Sequence, residues 1–171
     1  LSDADISQKA KDMYKHKLKL IEKGAKRLGI NIIETCLRDG ASADKELPSA
    51  DRILCDVPCS GLGVLSRKPE IRYKDDLIDT DLADIQYKIL CESAKYLKKG
   101  GKLVYSTCTL NPQENNKNTA KFLAEHNDFE GVELELPPEL KRAFDEKPYE
   151  ITLMPHTFDG DGFYIAVLTR R

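Results

Sequence analysis

No apolar run in this chain approaches the roughly 20 residues that cross a bilayer, and its first residues lack the apolar core of a secretory signal. A cytoplasmic protein is therefore the expectation. The five cysteines, at 36, 55, 59, 91 and 108, are odd in number, form no C-x-x-C pair and have no histidine cluster nearby. That pattern argues against a structural metal site and for reduced thiols. Strong charge of one sign is also missing: 27 Lys and Arg against 29 Asp and Glu leave a net −2. The overall balance thus does not advertise the basic face expected of a nucleic-acid enzyme. Internal repeats and low-complexity segments are absent. What remains is a 171-residue chain of ordinary apolar and charged content, long enough to bury one core, and one globular domain over 1–171 is expected.

The periodicities predict alternating helices and strands. Leu18, Ile21, Ala25 and Leu28 recur at helical spacing with Gly29 as a stop, which predicts a helix over Asp12 to Leu28, followed by a strand over Asn31 to Leu37. Arg52 to Val57 reads as a buried strand. Leu82, Ile85, Ile89, Leu90, Ala94 and Leu97 mark a helix over Asp79 to Leu97, with Gly100-Gly101 ending it, and Lys102 to Ser106 is the next strand. Asn111 as cap, Pro112 at the first helical position and Glu114 in the first turn predict a helix over Pro112 to His126. Short β-like runs follow at Val132 to Leu136, Ile151 to Leu153 and Phe163 to Thr169, and the proline-rich stretch from Leu136 to Pro148 reads as a surface loop. The fold class is α/β, a mostly parallel sheet with antiparallel strands at one edge.

Function is carried by two short segments. Asp56-Val57-Pro58-Cys59-Ser60-Gly61 and Ser106-Thr107-Cys108-Thr109 each follow a predicted strand, where the ligand crevice of a parallel sheet lies. Two thiols and a carboxylate are thereby expected around one site. Cys36, Cys55 and Cys91, lying within apolar strand or helix faces, read as packing residues. A free thiol is mostly protonated at neutral pH, and Cys108, just before the helix capped by Asn111, is placed for that helix's start to favour its thiolate.

The pair of segments, the first continuing as Gly-Leu-Gly-Val-Leu-Ser-Arg-Lys-Pro-Glu-Ile-Arg, resembles the NOL/NOP/Sun family of S-adenosylmethionine-dependent RNA cytosine-5 methyltransferases, whose motifs are D-x-P-C-S-G and T-C-[S/T]. The resemblance runs over essentially the whole chain and implies a Rossmann-like methyltransferase fold. It further implies that Cys108 adds to carbon 6 of cytosine, that Cys59 assists release of the methylated base, and that Asp56, at the donor side of the site, hydrogen-bonds the cytosine. Nucleophilic addition suits the problem, because carbon 5 is a poor nucleophile until carbon 6 carries a thiolate.

The segment Lys11-Asp12-Met13-Tyr14-Lys15-His16-Lys17-Leu18 is similar to the family's ribose-binding segment, which assigns Asp12 to the donor's ribose hydroxyls, and Asp39 matches the residue that contacts its adenine. As plain structure, Asp12 reads as a helix cap and Asp39 as a turn residue. The tail Met154 to Tyr164 is similar to the family's closing motif. Arg67, Lys68, Arg72 and Lys74, with Tyr73 among them, are candidates for holding RNA phosphates; the bland alternative is a solvated loop. Eleven residues precede Asp12 and none is glycine. The family's glycine-rich donor loop and first strand, and the N-terminal RNA-binding domain of Sun-type bacterial members, are thus expected outside these residues, and the chain resembles the C-terminal catalytic part. The Sun-like flavour points to ribosomal RNA, with transfer RNA the main rival. DNA cytosine-5 methylation, with Cys59 as nucleophile, and a non-catalytic Rossmann-like module are the alternatives.

Overall fold

The computed structural model describes residues 8–42, 48–73, 80–140, 146–157 and 160–171. They belong to two compact units that divide between Asp44 and Lys45.

In the first unit, β1 (Gln8–Asp12), α1 (Lys15–Arg27) and β2 (Ile33–Leu37) form a right-sized βαβ unit whose strands pair in parallel, Gln8 with Ile33 through Asp12 with Leu37. The helix predicted from Asp12 therefore starts later. Asp12 ends a strand, and its carboxylate turns the chain by accepting the Tyr14 N–H at 2.7 Å. β1 escaped notice because Gln-Lys-Ala-Lys-Asp has no apolar alternation and is held by its backbone ladder. The stop at Gly29 is as predicted: its φ of +71° suits only glycine, and the Ile30 N–H returns to the Ala25 carbonyl at 2.9 Å.

The second unit holds β3 (Ala50–Asp56), α2 (Thr80–Ala94), β4 (Leu97–Thr107), α3 (Asn116–Glu125), β5 (Phe129–Gly131), β6 (Glu150–Leu153) and β7 (Phe163–Arg170). β3 and β4 are parallel. β7 runs antiparallel on the far side of β4, and its outer edge is shared by β6 and β5. The parallel strands and the antiparallel side are both as the sequence pattern predicts, although among the described residues this sheet has one parallel pair and three antiparallel ones. Leu90, Leu97, Leu103, Tyr105, Phe122 and Leu168, all at most 1% exposed, form the centre of the core.

Three element assignments change. Leu97 through Gly101 belong to β4 and not to the end of α2. Gly100, at φ +74°, lies where the register shifts between the Ala50–Leu97 and Arg52–Lys102 pairs, so the glycines mark a bulge. β5 lies at Phe129–Gly131, ahead of the predicted Val132 to Leu136, although the Val132 N–H still reaches the Val167 carbonyl at 2.8 Å. β3 is only half buried: Cys55 and Val57 face the core while Leu54 is 70% exposed.

Candidate active site

β3 and β4 pair in parallel with Asp56 opposite Ser106, so the two cysteine segments leave neighbouring strands at the same, C-terminal end. The result is close contact. The Cys59 and Cys108 sulfurs are 2.8 Å apart, and the Cys59 sulfur also accepts the Cys108 backbone N–H at 3.3 Å. Both thiols are free and partly exposed.

One proton between two sulfurs splits their acidities. The Cys108 thiol is lowered to about 7, first because the Cys59 S–H donates to its thiolate; burial and the Asp56 charge oppose this, while its own backbone N–H and the Lys68 charge assist. Cys59 is pushed far above the thiol range by the bond it gives to Cys108, by burial and by the Cys108 charge. The predicted cause of activation, the start of the following helix, does not hold. α3 begins only at Asn116, because Asn111 through Asn115 form tight turns in which Asn111 Oδ1 accepts the Gln113 N–H at 3.1 Å. Cys59 takes the role expected of the helix dipole.

Three segments converge on the thiols. The Gly63 N–H donates to the Cys108 carbonyl at 3.0 Å and the Gly162 N–H to the Gly63 carbonyl at 2.7 Å, tying the Cys59 loop, the Cys108 loop and the turn before β7 together. A Cβ on Gly63 would fall on the Gly162 carbonyl, so glycine is required there by contact. Asp56, at the exposed end of β3, acts on Cys108 through its charge.

Of the candidate RNA contacts, Arg67 Nε pairs with Asp161 Oδ2 at 3.0 Å, so its charge is already met in part. Lys68 and Arg72 are exposed on and beside the 3-10 turn Pro69–Tyr73, and Tyr73 is 85% exposed; Lys74 lies outside the described residues. In the first unit, Asp12 and Asp39 lie at and just beyond the ends of the adjacent strands β1 and β2. Asp39 accepts the Ala41 N–H at 2.9 Å and the Ser42 hydroxyl at 3.2 Å, the turn geometry that its plain reading predicts.

Sequence reasoning missed the buried polar groups beneath the loops. Glu114, 1% exposed, accepts the Ser60 N–H at 2.9 Å, the Ser60 hydroxyl at 2.6 Å, Gln86 Nε2 at 2.7 Å and Asn111 Nδ2 at 3.0 Å. Gln86, wholly buried, also donates to the Pro58 carbonyl at 2.8 Å. A lone glutamine among the apolar positions of α2 was the available signal. Glu114 read as a first-turn helix charge.

A family model described as 16S rRNA methyltransferase RsmB/F matches residues 3–169. The chain belongs to this family. The match bears out the NOL/NOP/Sun resemblance, and the RsmB/F fold agrees with that of solved relatives. The chain is 42% identical over 166 residues to a probable ribosomal RNA small subunit methyltransferase B of Bacillus subtilis, covering 94% of this chain and 37% of that protein. To the ribosomal RNA small subunit methyltransferase B of Yersinia enterocolitica it is 34% identical, covering 95% and 36%. Among structures, NSun6 from Pyrococcus horikoshii, solved with SFG, superposes with a TM-score of 0.83 at 29% identity, covering 96% of this chain and 41% of that one. A methyltransferase homologue from the same organism gives 0.78 at 25%, covering 98% and 54%. The chain spans a little over a third of the length of the curated relatives it matches.

RsmB/F enzymes are S-adenosylmethionine-dependent. The first unit's chemistry fits a nucleoside: Asp12 and Asp39 present acceptors at the C-terminal ends of adjacent parallel strands, where ribose hydroxyls and an adenine amino group, all donors, are matched by carboxylates.

Proposed function

We propose that the protein containing this chain methylates carbon 5 of a cytosine in small-subunit ribosomal RNA, in the cytoplasm, through a covalent bond between Cys108 and the base. The observation that carries the reading is the contact of two thiols, 2.8 Å apart, at the C-terminal ends of adjacent parallel strands. Residues 1–171 are read as its catalytic domain.

Asp12 and Asp39 would hold S-adenosylmethionine by ribose and adenine, and Asp56 is read as a further donor-binding residue. Once bound, the donor supplies an electrophilic methyl group on a sulfonium. The remaining chemistry belongs to the chain. The Cys108 thiolate forms a bond to carbon 6, and the ring electrons displaced toward carbon 5 make it nucleophilic. Asp56, hydrogen-bonded to the ring nitrogen or amino group, favours that addition as it proceeds. After methylation, Cys59 as thiolate takes the carbon 5 proton, the freed electron pair restores the double bond between carbons 5 and 6, and the bond to Cys108 breaks with its sulfur leaving as thiolate. Arg67, Lys68 and Arg72 would hold phosphates, and a base in a loop or single strand is the one extruded at least cost.

The test is incubation of the full-length protein with radiolabelled methyl donor and small-subunit RNA, transfer RNA or DNA, with the labelled nucleoside identified by mass spectrometry. Label in 5-methylcytidine of small-subunit RNA is the expected result. Label in transfer RNA or in DNA alone reassigns the substrate, and label on another atom removes the role given to the thiols.

A further inference from the structure

Glu114 and Asn115 are consecutive, buried and turned to different tasks. Asn115 grips both neighbours of Cys108: its Oδ1 accepts the Thr107 hydroxyl at 2.6 Å and its Nδ2 donates to the Thr109 carbonyl at 2.9 Å. Glu114 grips Ser60 by both N–H and hydroxyl on one side of Cys59, while Gln86, bonded to Glu114, holds the Pro58 carbonyl on the other. The Ser60 hydroxyl also meets Thr109 Oγ1 at 2.7 Å, joining the two halves. Glu114 is itself anchored to β4, whose Tyr105 hydroxyl donates to the Glu114 carbonyl at 2.6 Å.

We propose that Glu114 and Asn115 are positioning residues that together set the separation of the two thiols, Asn115 by holding both neighbours of Cys108 and Glu114 by holding Ser60 directly and Pro58 through Gln86. The inference rests on reading Cys59 and Cys108 as the reactive pair. The strand ladder ends at Asp56 and Thr107, and beyond it the Gly63–Cys108 backbone bond holds the two loops on one side while these side-chain bonds hold the residues next to each sulfur. Four donors occupy both Glu114 oxygens: in Glu114→Gln the new NH2 faces an N–H donor whichever way it is turned, Asn111 Nδ2 on one side or the Ser60 N–H and Gln86 Nε2 on the other. Asn115→Asp sets a carboxylate oxygen against the Thr109 carbonyl. Each substitution keeps its side chain's shape and moves one sulfur.

The test is alkylation of Cys108 by iodoacetamide as a function of pH in the 171-residue chain, resolved by peptide mass spectrometry, with melting temperature measured alongside. Both variants should raise the midpoint by about one pH unit, which at pH 7 cuts the thiolate fraction about fivefold. In the full-length protein the same variants should lower kcat for methyl transfer and leave KM for RNA near the wild-type value. If either does not fold, Ser60→Ala decides: a smaller upward shift supports the clamp, and an unmoved midpoint overturns it. A lowered melting temperature with unmoved midpoints in the folded variants also overturns it, since a merely structural role predicts that pattern. Alkylation needs no RNA. Failure of cytosine methylation in the wild-type protein would therefore sink the functional reading and leave this result standing, whereas normal methylation with unmoved midpoints sinks only the clamp.

Discussion

Replacing Cys59 with alanine should move the acidity of Cys108, by an amount the geometry allows to be worked out. The largest cause holding Cys108 at about 7 is the bond donated by Cys59, and without it the ordinary thiol value of 9.0 is the natural reference. The direction is that of a lost acceptor interaction: the thiolate is the stabilised form, so removing the donor raises the midpoint. At pH 7 the thiolate fraction then falls from about one half to about 1%, roughly 50-fold. A more basic thiolate is a better nucleophile, and with a Brønsted slope of about 0.45 two units return roughly eightfold. Alkylation of Cys108 in Cys59→Ala should therefore be about sixfold slower than wild type at pH 7 and up to about eightfold faster well above pH 9, the two profiles crossing near pH 8. Cys59→Ser, which keeps a donor on a shorter arm, should fall between them. The measurement is brief iodoacetamide labelling across a pH series, with Cys36, Cys55 and Cys91 as references within each sample. Superimposable profiles for wild type and Cys59→Ala would refute the argument, because the donor would then contribute nothing to the thiolate.

In the full-length protein, Cys108→Ala should abolish methyl transfer, while Cys59→Ala should accumulate a covalent enzyme–RNA adduct visible as a denaturing-gel shift; the opposite pattern would exchange the two roles. Asp56→Asn should cost about 2–4 kcal/mol of barrier, or roughly 30- to 1000-fold in single-turnover rate, with RNA affinity little changed, and an unchanged rate would reduce Asp56 to a loop residue. Gly63→Ala drives a methyl group onto the Gly162 carbonyl and to 2.8 Å from the Cys108 carbonyl, so the junction must open. A loss of about 1–3 kcal/mol in denaturant unfolding with a larger proportional loss of activity is expected, and full activity at wild-type stability would show that the three segments need not touch. Lys68→Ala should weaken RNA binding and reduce the salt slope by about one, and Arg67→Ala should do less because Asp161 already meets its charge; filter binding over a salt series separates them, and an equal loss would mean that the Asp161 pair opens on RNA.

The legible elements were those whose side chains serve the core. β4 and β7 carry apolar runs because they lie inside the sheet, β3, at its end, because Ile53 and Cys55 pack on the core, and the α2 periodicity reports the face that buries Leu90 and Ala94, although Ile85 is exposed. β1 was illegible for the converse reason: a strand held by its ladder to β2 and by polar pairs such as Lys9–Glu34 leaves no apolar mark in side-chain pattern. Gly100-Gly101 misled because glycine permits both a helix stop and a bulge, and only the partner strand decides between them. At the site, motif spacing placed both thiols after parallel strands. It did not reveal what tunes them. The donor to Cys108 comes from 49 positions away and the Gln86–Glu114 contact spans 28, so neither is written in local sequence.

The same shared proton offers a physical reason for two cysteines where one would suffice to attack. Before attack, the thiolate of Cys108 strengthens the hold of Cys59 on its proton: the bond between them, burial and the charge of Cys108 all raise Cys59. On the proposed route, Cys108 becomes a thioether when it bonds to carbon 6, and it then offers neither a negative charge nor a good acceptor. Both contributions vanish together. Two backbone N–H groups, of Cys108 and Gly61, continue to favour the Cys59 thiolate, and burial continues to oppose it. Cys59 therefore becomes more acidic only after the adduct has formed. A thiol that holds its proton during attack and becomes more acidic afterwards is poised to assist release at the step where release is required, and the 2.8 Å contact is what couples the two events.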